Sequence, residues 1–373
     1  MAKYRAAIIG IGWMGMLNDI GTRWTDPGPY GDRGKWHVDD VDRPMPKVDV
    51  HRKFYFHEDT PPVTFAETLA DRPEVDLIAG AERDKDRLRA FGERYGITAL
   101  YTDAAEMLRN ERPEIVAIPS NTKDRPWLTV LAVENGAKGI MTEKPIAYSL
   151  EEADRMVQAC ADAGVPLVCG AITTSHPSFA KAKELVTTGA IGDVISIEAQ
   201  SSHMSQHQNW SYFLNSAPAW VAGIGDTPPG DEGSEEFGGQ GMMVTVDGLS
   251  VFFRKGAPPV RITGTAGEVV QMEVPKRQWR LFQDIDTLAG GAKRVEMPWP
   301  DPQMTNKLSV SYGFGDIFDC LDGKLDEPKN SGRSVAVALE VEIALKLSSE
   351  RGGARVDLPF EDRSLDLKYD WHR

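Results

Sequence analysis

Cysteine is scarce in this 373-residue chain: Cys160, Cys169 and Cys320 form no Cys-x-x-Cys pair and leave an odd count. Neither a disulfide framework nor a cysteine zinc site suits that number, so all three read as buried, reduced thiols. Long apolar runs are lacking too. No stretch approaches the ~18 residues that span a bilayer, and the opening residues run straight into a strand pattern without the basic, apolar and small-residue succession of a secretory leader. A cytoplasmic protein with no membrane partner is therefore the expectation. Positive charge is the minority, 42 Lys and Arg against 56 Asp and Glu, and no basic stripe is present to match a polyphosphate backbone. Nucleic acid is not expected as a partner.

What is present is ordinary folding material. Hydrophobic residues at 41% and charged residues at 26% place the chain among folded proteins rather than disordered or fibrous ones. The length is too great for one core and suits two domains.

The run Ala6-Ala7-Ile8-Ile9 is fully apolar and ends at Gly10, as a central parallel strand does. It opens into Gly10-Ile11-Gly12-Trp13-Met14-Gly15. In this spacing the first glycine makes a tight turn, the second admits a pyrophosphate against the backbone, and the third lets the following helix pack on the strand. That helix N-terminus favours an anion. An acidic partner for the ribose hydroxyls is due about 20 positions later, but residues 18 to 62, rich in proline, glycine and tryptophan, read as an insertion. It is either an oligomer arm or surface excursion, or a lid that brings a tryptophan or His37 to the active cleft.

The pattern resumes with a helix at Phe65-Leu69 and a strand from Val75 that closes on Glu82 and Arg83. Glu82 is the ribose candidate and favours NAD. Arg83 stacks on adenine or accommodates a 2′-phosphate, so NADP stays open. Asp103 caps a helix, Pro113 to Pro119 reads as a further buried strand, and Ser120 and Asn121 follow at the carboxyl end where parallel sheets bind ligands. A helix from about Arg125 to Asn135 and a strand then lead to Glu143-Lys144-Pro145. Such alternation requires a parallel, doubly wound sheet. Beyond Lys181 come Val194-Ala199, Gly241-Val246, Leu249-Phe253 and Val260-Thr263, strands joined by Asp247-Gly248 and proline-glycine turns. The fold class expected is α/β: an N-terminal Rossmann domain, residues 1–148, followed by an α+β domain, residues 149–373, with a large and mostly antiparallel open sheet.

These residues resemble the glucose-fructose oxidoreductase, inositol dehydrogenase and rhizopine catabolism (Gfo/Idh/MocA) oxidoreductases. The resemblance runs through Ile8-Gly15, the strand ending at Glu82, Tyr101-Asp103, Pro113-Ile118, Gly136-Pro145, Ala190-Ile197, Gly264-Gly267 and Val356-Phe360. The Glu-Lys-Pro tripeptide after the fifth strand is its most specific part. It implies an NAD(P)-dependent dehydrogenase or reductase acting on a sugar, sugar acid or cyclitol, with Glu143 and Pro145 beside the coenzyme, a cis bond before Pro145, and Lys144 as proton relay to the reacting oxygen. Two alternatives remain: redox-assisted elimination or glycoside cleavage with retained NAD, and a non-catalytic dinucleotide-binding sensor. The resemblance also implies a homodimer or homotetramer.

Two departures stand out. The family carries a His and an Asp three residues apart in its second domain; here Ser201 to Trp210 offers His203 or His207, or Ser211 beyond, with no Asp after any of them. His207 is the preferred acid or base, His203 the second choice. No metal site is expected of the pair, since no acidic ligand lies nearby. At the helix following the fourth strand, where the family has His, stands Arg125, which either binds substrate or pairs with Asp124. His176, Asn209 and Trp210 complete the candidate substrate contacts, His176 equally readable as a loop cap.

Overall fold

The computed structural model describes residues 4–17, 62, 64–170, 174–202, 204–205, 208–226, 236–272, 278–300 and 310–367. The proposed insertion at 18–62 falls almost wholly outside them, as do His203 and His207. The described residues form two units by their contacts: one from Met1–Ala147, Glu152–Ile172 and Lys307–Gly332, the other from Tyr148–Glu151, Thr173–Asn306 and Arg333–Arg373.

In the first unit, Tyr4–Ile9 (β1), Val75–Ala81 (β2), Ala99–Tyr101 (β3), Ile115–Ile118 (β4), Gly139–Thr142 (β5) and Leu167–Cys169 (β6) make a six-stranded sheet of order β3-β2-β1-β4-β5-β6. Every pairing is parallel. All four residues of β4 and of β5 are buried, as expected of strands covered on both faces. Helices Phe65–Asp71 (α1), Lys85–Tyr95 (α2) and Ala104–Glu111 (α3) begin at Thr64, Asp84 and Asp103, whose side chains accept backbone N–H groups of the first turn. Arg125–Glu134 (α4) and Leu150–Ala163 (α5) follow.

A single boundary near residue 148 does not describe this unit. Part of α5 and all of β6 belong to it, and Val310–Leu321 (α7), far along the chain, returns to pack its Phe314 and Ile317 into the same core as Ile8, Phe65 and Ile115. The close fit depends on Gly139, where a side chain would run into Ile317.

The second unit holds Pro177–Thr187 (α6) and nine strands: Val194–Gln200 (β7), Pro218–Ile224 (β8), Gln240–Thr245 (β9), Ser250–Arg254 (β10), Val260–Gly264 (β11), Gly267–Met272 (β12), Gln278–Asp286 (β13), Ala292–Met297 (β14) and Val356–Asp357 (β15). Their order is β14-β13-β12-β11-β7-β10-β9-β8-β15, antiparallel throughout except the β10–β7 pair. The expected fold class is thus the observed one. The inward residues Ile197, Val251, Phe253 and Ile262 pack on Gly332–Glu350 (α8) through Ala338, Val341, Ala344 and Leu345.

Candidate functional site

At the end of β1 the chain turns through Gly10, whose φ of 96° belongs to the region that favours glycine. A Cβ there would stand 2.9 Å from the Ser120 backbone, and one at Gly15 would collide with the Gly10 carbonyl. Gly12 differs, since its nearest neighbour at the Cβ position is the Arg87 guanidinium at 3.6 Å. Two glycines therefore close the loop against the sheet, while at the middle one a side chain would meet only the end of a flexible arginine. The turn after it, Trp13–Leu17, is a wide π-type turn rather than an α-helical one. Trp13 and Met14 pack against the first unit's core, so their side chains serve the fold and do not line the cleft.

Glu82 follows β2 and is fixed by backbone. Its Oε2 accepts the Ile11 N–H at 2.8 Å and its Oε1 accepts the Asp84 N–H at 3.1 Å. A carboxylate thus sits at the head of the glycine loop, where ribose hydroxyls meet it in dinucleotide folds. Gly10, Gly12, Glu82, Arg83, Ser120 and Asn121 line one cleft of about 360 Å³. Arg87, Thr102, Asp103, Asp124 and Trp127 line it too, and the sequence pattern did not single these out as ligand contacts. Their signal was position: each lies just beyond β2, β3 or β4, at the carboxyl edge of a parallel sheet. The Ser120 Oγ is buried with no hydrogen-bond partner among the described residues, an acceptor and donor left for a ligand.

Thr142, the last residue of β5, pairs in register with Ile118 of β4, so Glu143-Lys144-Pro145 emerges beside the loop carrying Ser120. The Lys144–Pro145 bond is cis. Glu143 is 8% exposed, and its carboxylate turns back to accept the Lys144 N–H at 2.9 Å. Burial pushes its carboxyl above the usual range, against the pull of the Lys144 and Arg125 charges.

Arg125, 4% exposed, donates from Nε to the Ser120 carbonyl at 3.0 Å and from Nη1 to the Pro145 carbonyl. Asp124 is held instead by Arg83, at 3.0 Å. Neither reading drawn from sequence for Arg125 describes this: the guanidinium is a buried brace between the two loops.

Behind the lysine, Gly170 (φ 68°) brings its Cα under Lys144, where a Cβ would meet the Lys144 backbone N at 2.8 Å. Asn330 exchanges hydrogen bonds with the Cys169 backbone, donating from its side chain and accepting the Cys169 N–H at 3.1 Å. Gly170 and Asn330 went unread in the sequence because each acts on a turn remote along the chain.

In the second unit His176 caps α6, its Nδ1 accepting the Ser178 N–H at 3.1 Å. Asn209 is 6% exposed and its Oδ1 has no partner among the described residues. Trp210 corrects an expectation. It is 1% exposed and meets Phe253 edge to face at 5.2 Å, so no face is left to stack on a sugar.

Among the described residues no group of three metal-ligating side chains occurs, and no helix is long and apolar enough to cross a membrane. Residues 63–171 match the family described as oxidoreductase family, NAD-binding Rossmann fold. A D-apiose dehydrogenase of Paraburkholderia graminis is 37% identical over 118 residues, 32% of this chain and 31% of that one. A myo-inositol 2-dehydrogenase of Thermotoga maritima is 32% identical over 127 residues, 34% of this chain and 38% of that one. The chain thus spans about a third of the length of these curated relatives. An oxidoreductase from Agrobacterium radiobacter, solved in complex with NAD+, L-tartaric acid and magnesium, shares the fold at a TM-score of 0.62 and 17% identity, over 95% of this chain and 98% of that one. Over residues 63–171 the chain is thus similar to the NAD-binding Rossmann domain of the Gfo/Idh/MocA oxidoreductases.

Proposed function

We propose that the chain is an NAD-dependent oxidoreductase of sugars, sugar acids or cyclitols, with the coenzyme in the cleft between the glycine loop and Glu82 and with Lys144 relaying the proton. The residues present fit the coenzyme: at Gly12 no backbone crowds the place a diphosphate would take, Glu82 stands ready to accept ribose hydroxyls, and Ser120 Oγ lacks a partner among the described residues. When bound, the nicotinamide supplies or takes a hydride. The chain's own task is the proton. As an alcohol carbon gives up hydride, its O–H proton passes to the Lys144 amine, and a ketone acquires its proton by the reverse path. The relatives' names, D-apiose and myo-inositol dehydrogenases, support a polyhydroxylated substrate.

The observation that carries this reading is the Arg125 brace, which joins the carbonyl of a cleft-lining residue, Ser120, to the carbonyl directly after the lysine. The test is calorimetric titration with NAD+ together with a screen of aldoses, aldonates and inositols for nicotinamide reduction. Lys144→Met keeps an unbranched side chain one atom shorter and removes the amine that carries the proton. Turnover should fall about 10²- to 10⁴-fold while NAD+ affinity is retained. Wild-type protein that takes up no nicotinamide coenzyme, or a methionine variant that turns over unimpaired, would exclude it.

A further inference from the structure

Two arginines stand beside Glu82, and both are engaged by carboxylates. Arg87 lies 3.5 Å from Glu82 Oε2 and 3.2 Å from Asp84 Oδ2. Arg83, the residue directly after Glu82, reaches Asp124 on the loop after β4, Nη2 to Oδ2 at 3.0 Å. Asp124 is itself held in place, for the Trp127 indole N–H points to its other oxygen at 3.4 Å. Arg83, Asp124 and Trp127 all line the cleft with Glu82.

The two nicotinamide coenzymes differ by one phosphate on the 2′-oxygen of the adenosine ribose. An acid at the end of the second strand meets the free hydroxyl, and an arginine next to it is the group that accommodates the phosphate. Arg83 has that place in the chain, and Asp124 has its guanidinium. The cleft lining presents three carboxylates, Glu82, Asp103 and Asp124, against two guanidiniums, Arg83 and Arg87, so a phosphate dianion would meet a wall of net negative charge.

We propose that Asp124 is a specificity-determining residue: by binding Arg83 it withholds that guanidinium from a 2′-phosphate and sets the cleft for NAD over NADP. The inference rests on the dinucleotide reading of the cleft and adds to it. Glu82 disfavours the phosphate by repulsion, whereas Asp124 removes the cation that would offset it. Because Arg83 is 69% exposed, solvent and salt moderate the effect.

The experiment is calorimetric titration of NAD+ and NADP+ into wild type, Asp124→Ala, Asp124→Asn, Arg83→Ala and the double variant Arg83→Ala/Asp124→Ala. Asp124→Ala should raise NADP+ affinity relative to NAD+ about tenfold, the size of one freed charge-assisted contact. Asp124→Asn, nearly isosteric, should move the same way by less and covers the case in which the alanine variant fails to fold. The double variant should return to wild-type preference, since the liberated guanidinium is what holds the phosphate. A gain that survives in the double variant overturns the proposal, as does an equal change for both coenzymes. Wild type that binds neither coenzyme removes the dinucleotide reading and this proposal together. NAD+ binding with unaltered discrimination in the Asp124 variants leaves that reading standing and removes only the role of Asp124.

Discussion

Arg125 Nη1 donates to the carbonyl of Pro145, twenty residues further along the chain, while its Nε holds the carbonyl of Ser120. One buried cation thereby spaces the lysine turn from the coenzyme-cleft loop. Replacing it by alanine strips two carbonyls of their donor and leaves the Glu143 carboxyl buried with one positive neighbour fewer. A loss of about 3 kcal/mol in urea unfolding is expected. Arg125→Lys keeps the charge but offers no planar fork to span both carbonyls, so it should recover part of the stability and little of the turnover.

Gly170 works from the other side of the same lysine. Its φ of 68° and its approach to the Lys144 backbone both exclude a side chain. Gly170→Ala should cost about 1–2 kcal/mol through backbone strain alone and push the Lys144 backbone outward. NAD+ affinity measured by calorimetry should be near wild type while kcat falls, because the glycine touches the lysine turn and lines no part of the cleft. A matched loss of affinity and turnover would place Gly170 in the general stability of the unit instead.

Legibility in the sequence followed locality. Gly10, Gly12, Glu82 and Ser120 could be read because each is demanded by backbone within a few residues of a strand end, and they line one cleft. β9, β10 and β11 could be read from runs that bury alternate residues, and β7 from its β-branched run, though it buries Ile197, Glu198 and Ala199 in succession. β14 could not. Five of its six residues are exposed, so no apolar alternation marks it, and its tie to β13 is polar, with Arg294 gripping Asp284 at 2.9 Å. Trp210 misled because an aromatic beside polar residues suits a sugar platform as well as a core, and Phe253, which decides the matter, lies 43 positions on. Likewise nothing local in Val310–Leu321 says that it fills the first unit's core.

The cysteines yield a prediction from burial. Desolvation pushes Cys160 and Cys169 up to about 12 and Cys320 to about 11, so all three are neutral thiols at physiological pH. The thiolate is the reactive form. Native protein should therefore resist iodoacetamide at neutral pH, and three carbamidomethyl groups should appear by mass spectrometry once the chain is unfolded in urea. Cys320, only half-buried against the expectation for all three, should be the first to react as pH is raised, whereas rapid labelling of folded protein at Cys160 or Cys169 would contradict their burial.

Glu342 gives the clearest dependence on pH. It is fully buried on α8, and its two oxygens accept the Ser205 N–H at 3.2 Å and the Phe237 N–H at 2.9 Å, tying the loop after β7 to the one before β9. Burial, reinforced by the nearby Glu236 charge, raises its carboxyl from 4.5 to about 7 despite the hydrogen bonds of Ser205 and Phe237. A folded-state value above the unfolded one means that the native protein binds the proton more tightly. The contribution to stability is therefore full below 4.5 and is lost as pH rises toward 7, by roughly 3 kcal/mol at most. Glu342→Gln carries no titrating group. Its unfolding free energy, measured by urea titration across that window, should be flatter with pH than that of wild type even though one amide donor loses its acceptor. Parallel curves for the two proteins would show that the carboxyl at 342 titrates in the folded chain much as it does in the unfolded one.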